Sequence, residues 1–173
     1  MPKPETLKRI ERDIAAGNLG KARDRLHGLI LSYPEDLSLR FRLAEVYRQL
    51  QYPAMAGRYW YLEEQRTEEM RQAVAEFERE CGNEPWLIAN RQKIRFEPEG
   101  LPPGHARDRL TELTDRCKRK YGQAPDFSGR RGKRQFVPEN VQSHAVAVGC
   151  ILTFVVLAFL VVMGIMHVLS WFW

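Results

Sequence analysis

The sequence predicts an all-α chain: helical hairpins in succession, then a basic stalk, then one carboxy-terminal transmembrane helix. Three observations predict it. Apolar residues recur at helical spacing from Thr6 to about Glu64, and Gly, Asn and Pro break that recurrence at short intervals. Ala145 to Met166 forms 22 consecutive positions without a charged side chain. The expected organisation is a helical domain over 1–97, a linker with one helix and a basic juxtamembrane tether over 98–144, a membrane helix over 145–169, and an aromatic interfacial end over 170–173.

The first apolar stripe is Leu7, Ile10 and Ile14, and the second is Ala22, Leu26, Leu29, Ile30 and Tyr33. A third follows in Leu39, Leu43, Val46, Tyr47 and Leu50, and a fourth in Ala56, Tyr59 and Trp60. Each stripe marks the buried face of an amphipathic helix. Gly17-Asn18 with Gly20, Tyr33-Pro34 and Tyr52-Pro53 fall where these helices stop, and Asp36 is placed to cap the third. Thr67 caps a fifth helix, with Glu68 and Glu69 near the positive end of its dipole and Met70, Val74, Phe77 and Cys81 as its stripe. Gly82-Asn83 closes it, with Pro85 just beyond.

Trp86, Leu87, Ile88, Ile94 and Phe96 read as a last short helix or an irregular cover for the open end of the stack, whose apolar face has to be hidden. Glu97 to Gly104 holds three prolines and two glycines in eight residues, cannot continue a helix, and reads as a linker. Leu110, Leu113, Cys117 and Tyr121 mark one more helix ending at Gly122, whose narrow stripe suits docking on the domain or pairing with a second copy. From Gln123 to Asn140, Gly, Pro, Ser and basic residues read as an unstructured tether.

A helix rises about 1.5 Å per residue, so roughly 20 apolar residues cross a hydrocarbon core of about 30 Å. The run from Ala145 has that length. A buried core helix would instead need a domain large enough to surround every face, and 144 residues precede the run. With few residues after it, the span has the layout of a tail anchor. Arg130, Arg131, Lys133 and Arg134 precede it and no charged side chain follows, which places the amino-terminal domain in the cytosol. Trp171, Phe172 and Trp173 would sit in the far interface.

Small and large positions also match at a shift of 34 residues: Ala22 falls against Ala56 and Leu26 against Trp60, although Arg9 against Leu43 does not match. A 34-residue helix-turn-helix period is that of the tetratricopeptide repeat, which the segment resembles in Ala22, Leu26, Leu29 and Pro34, and again in Leu43, Ala44, Tyr47, Ala56 and Trp60. Arg9-Ile10 and Glu68 depart from that pattern. Through Ile14 to Ile30 and Gln51 to Glu64, the first hundred residues also resemble a bacterial family of short tetratricopeptide-like proteins carried as a domain of unknown function. That resemblance implies a helical scaffold and no activity.

Residues 1–100 carry 17 basic and 17 acidic side chains, whereas residues 101–143 carry 10 and 5, so the net +5 lies beside the expected membrane. The mean hydropathy of −0.45 averages two unlike parts, the polar domain and the apolar anchor. Three widely spaced cysteines, one of them in the span, are not a disulfide framework and suit a reducing cytosol. Arginine outnumbers lysine 20 to 7, as GC-rich coding produces, and the expected location is a bacterial plasma membrane.

No His, Cys, Asp or Glu falls at metal-ligand spacing, and no phosphate-cradling glycine loop or nucleophile elbow occurs. Neither an enzyme nor a cofactor is expected. Candidate groove positions, on the first helix of each hairpin, are Phe41, Glu45, Arg48 and Arg79; a solvated face is the alternative for them. In the Tyr59-Trp60-Tyr61 run, Trp60 is expected in the core, since three successive helical residues point in three directions.

Arg116, Lys118, Arg119, Lys120, Arg130, Arg131, Lys133 and Arg134, opposed by Asp126 alone, put +7 in nineteen residues. Such a cluster can hold anionic lipid head groups or can simply set topology. Nucleic acid is not the expected partner, because only Tyr121 and Phe127 could stack on bases. Ala145, Gly149 and Thr153 put three small side chains on one face of the span, where two copies could meet.

The expected function is a non-enzymatic adaptor that recruits a protein partner to the membrane. Two alternatives stay open. In one the span oligomerises and itself perturbs the membrane; in the other the chain is an assembly subunit of a larger membrane complex.

Overall fold

A computed structural model describes residues 3–127. The chain divides into two units, 1–133 and 134–173, and every described residue belongs to the first. The expected span with Ala145, Gly149 and Thr153, its aromatic end, and Arg130, Arg131, Lys133 and Arg134 lie outside the described residues. No helix among the described residues is long and apolar enough to cross a membrane.

The described chain is all-helical, with seven α-helices and no strand: α1 (Lys3–Ala15), α2 (Leu19–Ser32), α3 (Leu37–Gln49), α4 (Pro53–Trp60), α5 (Glu68–Glu80), α6 (Pro85–Gln92) and α7 (His105–Tyr121). Each of the first four packs against the next, forming antiparallel hairpins across short turns. Breaks and caps fall where the sequence puts them. Asp36 accepts the backbone N–H of Ser38 at 3.1 Å, Thr67 accepts that of Met70 at 3.3 Å, and Pro53 and Pro85 open α4 and α6, where a proline's missing N–H costs nothing.

The apolar stripes become one core. Residues 34 apart occupy equivalent buried positions: Ala22 with Ala56, Leu26 with Trp60, Ile10 with Ala44 and Leu43 with Phe77 are all essentially inaccessible. Trp60 is fully buried as expected, and Tyr59 and Tyr61 beside it are buried too. Among the described glycines, Gly57 on α4 makes the closest approach to a neighbouring backbone. A Cβ there would lie 1.9 Å from the carbonyl oxygen of Ala73 on α5. Backbone meets backbone at that point, and only a residue without a side chain fits.

Three parts of the carboxy-terminal half are more integrated than their composition suggests. The Pro/Gly stretch forms a 3₁₀ turn at Pro98–Gly100 and buries Leu101. Helix α7 buries Leu110, Leu113 and Cys117 and packs on α6, so its stripe docks within the same chain. Glu84, just before α6, accepts hydrogen bonds from the Tyr121 hydroxyl and the Lys120 ammonium and ties the far end of α7 down. The expected tether from Gln123 does not begin there, because Pro125 and Phe127 are buried and Phe127 belongs to the core. Isolated apolar residues between prolines and charges give no periodic signal, which is why their burial is not legible in the sequence.

Candidate functional site

Two concave regions stand out, one around a residue singled out by the sequence and one not. The first surrounds Phe41. A hydrophobic ring on a helix that otherwise buries its apolar residues is 38% exposed here. It lines a recess of about 500 Å³ between Leu37 and Ser38 of α3, Leu62 to Glu64 after α4, and Leu101 to Ala106. It also lines a wider one bounded by Glu63 to Thr67 and Met70. The floor is apolar, and the rim is of mixed charge, with Glu63 and Glu64 beside Arg42 in one recess and Arg66 in the other. Burial pushes the Glu63 carboxyl up from its ordinary value, against the pull of Arg66, Arg40 and His105. A half-buried acid beside an exposed aromatic ring is chemistry for holding a chain segment with a basic side chain.

The other expected groove positions do not converge on Phe41. Glu45 and Arg48 pair with each other along α3, with Arg48 Nε and Nη2 donating to Glu45 Oε2 at 3.1 and 3.0 Å. Arg48 lines a separate recess of about 200 Å³ with Glu69, Gln72 and Glu76 of α5. Arg79 is exposed near the end of α5 and lines neither recess. Groove candidates chosen by helix position alone thus scatter over one face.

The described half of the basic cluster lies at the end of α7, where cations complement the helix dipole. Lys118 lies 3.8 Å from Asp115, while Lys120 is paired with Glu84 and sits 5.5 Å over the Tyr121 ring. Arg119 is exposed and Arg116 half-buried. Of the two rings that could stack on a base, Phe127 is buried and Tyr121 is engaged by Glu84 and packs edge-on against Trp86. Among the described residues no three His, Cys, Asp or Glu side chains are grouped to hold a metal ion.

The second region was not anticipated. Arg40, on α3, lies on the same helical stripe as Leu43, Ala44 and Tyr47 and is almost completely buried. Its Nη2 donates to Gln92 Oε1 at 2.7 Å and to the Arg58 carbonyl at 3.5 Å, and its Nη1 donates to the Gln92 carbonyl at 3.3 Å. Among the described residues no carboxylate lies within ion-pair distance of it. Its guanidinium and that of Arg58 lie 5.0 and 5.1 Å from the centre of the Tyr59 ring. Tyr59 stacks on Tyr47 at 5.7 Å and 5°, and His27 Nε2 is hydrogen-bonded to the Tyr47 hydroxyl at 2.9 Å.

Burial lowers the Arg40 pKa to about 10, so the group stays charged at neutral pH. Burial, then the positive field of Arg58 and Arg23, holds His27 below its ordinary value. These residues line a recess of about 380 Å³ closed by Lys93 and Arg95 after α6. One signal in the sequence could have found it. Positions 40, 43, 44 and 47 form a single stripe, and an arginine stands where a core residue belongs.

A family of unknown function, DUF6584, matches residues 1–170. No curated protein and no solved structure matches the chain.

Proposed function

We propose that this chain, which belongs to the DUF6584 family, is a non-enzymatic, membrane-anchored adaptor whose cytosolic helical domain holds a protein partner. The observation that carries the reading is Phe41, a part-exposed ring that lines two recesses together with Glu63 and Glu64. An aromatic ring in a concave, largely apolar site is a common anchor for a bound segment. The burial of residue pairs 34 apart in a helical domain supports a tetratricopeptide-like reading of it. The uncharged run at 145–169 and the basic residues before it support the anchor.

The partner segment fitting this rim carries a Lys or Arg for Glu63 and Glu64 and an apolar residue for Phe41 and Leu62. Affinity purification of the full-length protein from detergent extracts, beside Phe41→Asp and a chain ending at His144, tests the reading. A stoichiometric partner retained by the shortened chain and lost with Phe41→Asp is the expected result. Capture unaffected by Phe41→Asp would refute the groove, and membrane recruitment unaffected by removal of 145–173 would refute the anchor.

A further inference from the structure

The recess walled by Arg40, Arg58 and Tyr59 shares no lining residue with those at Phe41, and unlike them it is lined by charges of one sign. Arg40, Arg58, Lys93 and Arg95 line it together with the neutral His27, and no Asp or Glu does. A guanidinium withdrawn from water without a carboxylate partner is costly unless hydrogen bonds or a ligand compensate it. The protein's own compensation is incomplete. Arg40 Nε, Arg58 Nε and Nη2, and Gln92 Nε2 are buried and have no hydrogen-bond acceptor. Arg40 and Gln92 are themselves almost completely inaccessible. Four unpaired N–H-bearing nitrogens therefore belong to three residues that line one recess. Deeply buried polar groups are ordinarily satisfied, so unpaired donors grouped in this way favour a ligand that brings acceptors.

A second observation concerns the rim. Lys93 holds a left-handed backbone with φ +47 at the end of α6, where glycine or asparagine is the ordinary choice. An unbranched cation is kept at a position whose backbone would favour a different residue, and that cation faces the cavity.

We propose that this recess binds a phosphoryl group carried on a small organic molecule. One buried guanidinium, the half-buried one of Arg58 and two exposed rim cations call for a dianion rather than a monocarboxylate, and a phosphoryl group offers three acceptor oxygens to the unpaired donors. The remaining wall is apolar, made of Ile30, Leu31 and Met55, and accepts the body of the ligand. A volume of about 380 Å³ lies within the roughly 300–1,000 Å³ of small-molecule sites. The inference stands whether or not the adaptor reading holds.

Full-length protein in an uncharged detergent is titrated calorimetrically with phenyl phosphate, inorganic phosphate, benzoate and dioctanoyl phosphatidic acid. Phenyl phosphate is expected to bind more tightly than benzoate, with at least a tenfold loss in Arg58→Gln, the order of a buried hydrogen bond to a charged group. Binding of phosphatidic acid alone, equally dependent on Arg58, keeps the phosphoryl assignment and identifies a lipid head group as its source. Lys93→Gly separates ligand from scaffold: relief of the left-handed strain raises the unfolding temperature, while loss of a rim charge weakens phenyl phosphate about threefold. Benzoate binding as tightly as phenyl phosphate, no binding by any probe, or affinity unchanged in a folded Arg58→Gln protein would each overturn the proposal.

Discussion

Gly57→Ala is the most demanding test of how α4 and α5 meet. An added Cβ would stand 1.9 Å from the Ala73 oxygen, 2.2 Å from its carbonyl carbon and 2.6 Å from the Val74 nitrogen, all of them backbone atoms. No rotamer change relieves this. Ordinary contact begins at 3.4 Å, so α5 has to retreat by about 1.5 Å at that point. A gap of 0.5–1 Å already forfeits roughly a quarter to a half of a dispersion contact, and Trp60, Val74 and Phe77 all pack within the same core. The cost is at the upper end of overpacking, about 3 kcal/mol, against a gain of about 1 kcal/mol from replacing a helical glycine.

Gly28, on an exposed turn of α2, is the matched control, with nothing within 4 Å of an added Cβ. Gly28→Ala should stabilise by about 0.5–1 kcal/mol. Far-UV circular dichroism melts of both variants in one detergent read the opposite signs directly. A Gly57→Ala protein that melts with or above the parent would refute the backbone contact between α4 and α5.

Other consequences follow from the same geometry. Trp60→Ala should cost about 3–5 kcal/mol and Leu26→Ala about 2–5 in chemical denaturation, since both side chains are fully buried at equivalent positions; a loss below 1 kcal/mol at either would break the equivalence. The folded state holds His27 below its ordinary value, so the unfolded chain takes up that proton first; its contribution is complete above about pH 6.5 and is lost as pH falls toward the folded value. The stability difference between parent and His27→Gln should therefore drift against the parent from about pH 6.5 to 5, and a flat difference would show that His27 is not buried. Glu84→Gln removes the carboxylate that receives Lys120 and Tyr121, and should speed amide hydrogen exchange at the end of α7 while leaving α3 and α4 unchanged.

The helices were legible because their signals are local and periodic. Leu39, Leu43, Val46 and Tyr47 recur on one face, and Asp36 and Thr67 stand where an orphan N–H needs an acceptor. Burial of Leu101 and Phe127 was not, since each is an isolated apolar residue among prolines and charges, brought to the core by chain direction rather than by pattern. Of the expected groove, Phe41 stands in a recess, whereas Glu45 and Arg48 satisfy each other and Arg79 faces elsewhere. Helix phase places a side chain on a face; which neighbours close around it depends on segments distant in sequence, here 62–64 and 101–106.

Arg40 and Phe41 show why the sites had to be found in three dimensions. Adjacent residues lie about 100° apart around a helix, so α3 turns one toward the cationic recess and the other toward the recess lined by Leu62, Glu63 and Leu101. By hydrophobicity alone the two would exchange places, the ring buried and the guanidinium in water. Both inversions occur in one step of one helix, and each is explained by what surrounds it. Gln92 and Tyr59 receive the guanidinium, and Leu62 and Leu101 make an apolar floor beside the ring. Glu63 joins the two regions electrostatically, since its field opposes the burial of Arg40 while Arg40 opposes the burial of Glu63. A close-packed helix cannot shift one of these faces without carrying the other, so α3 is a common wall of the recess at Phe41 and the recess at Arg40.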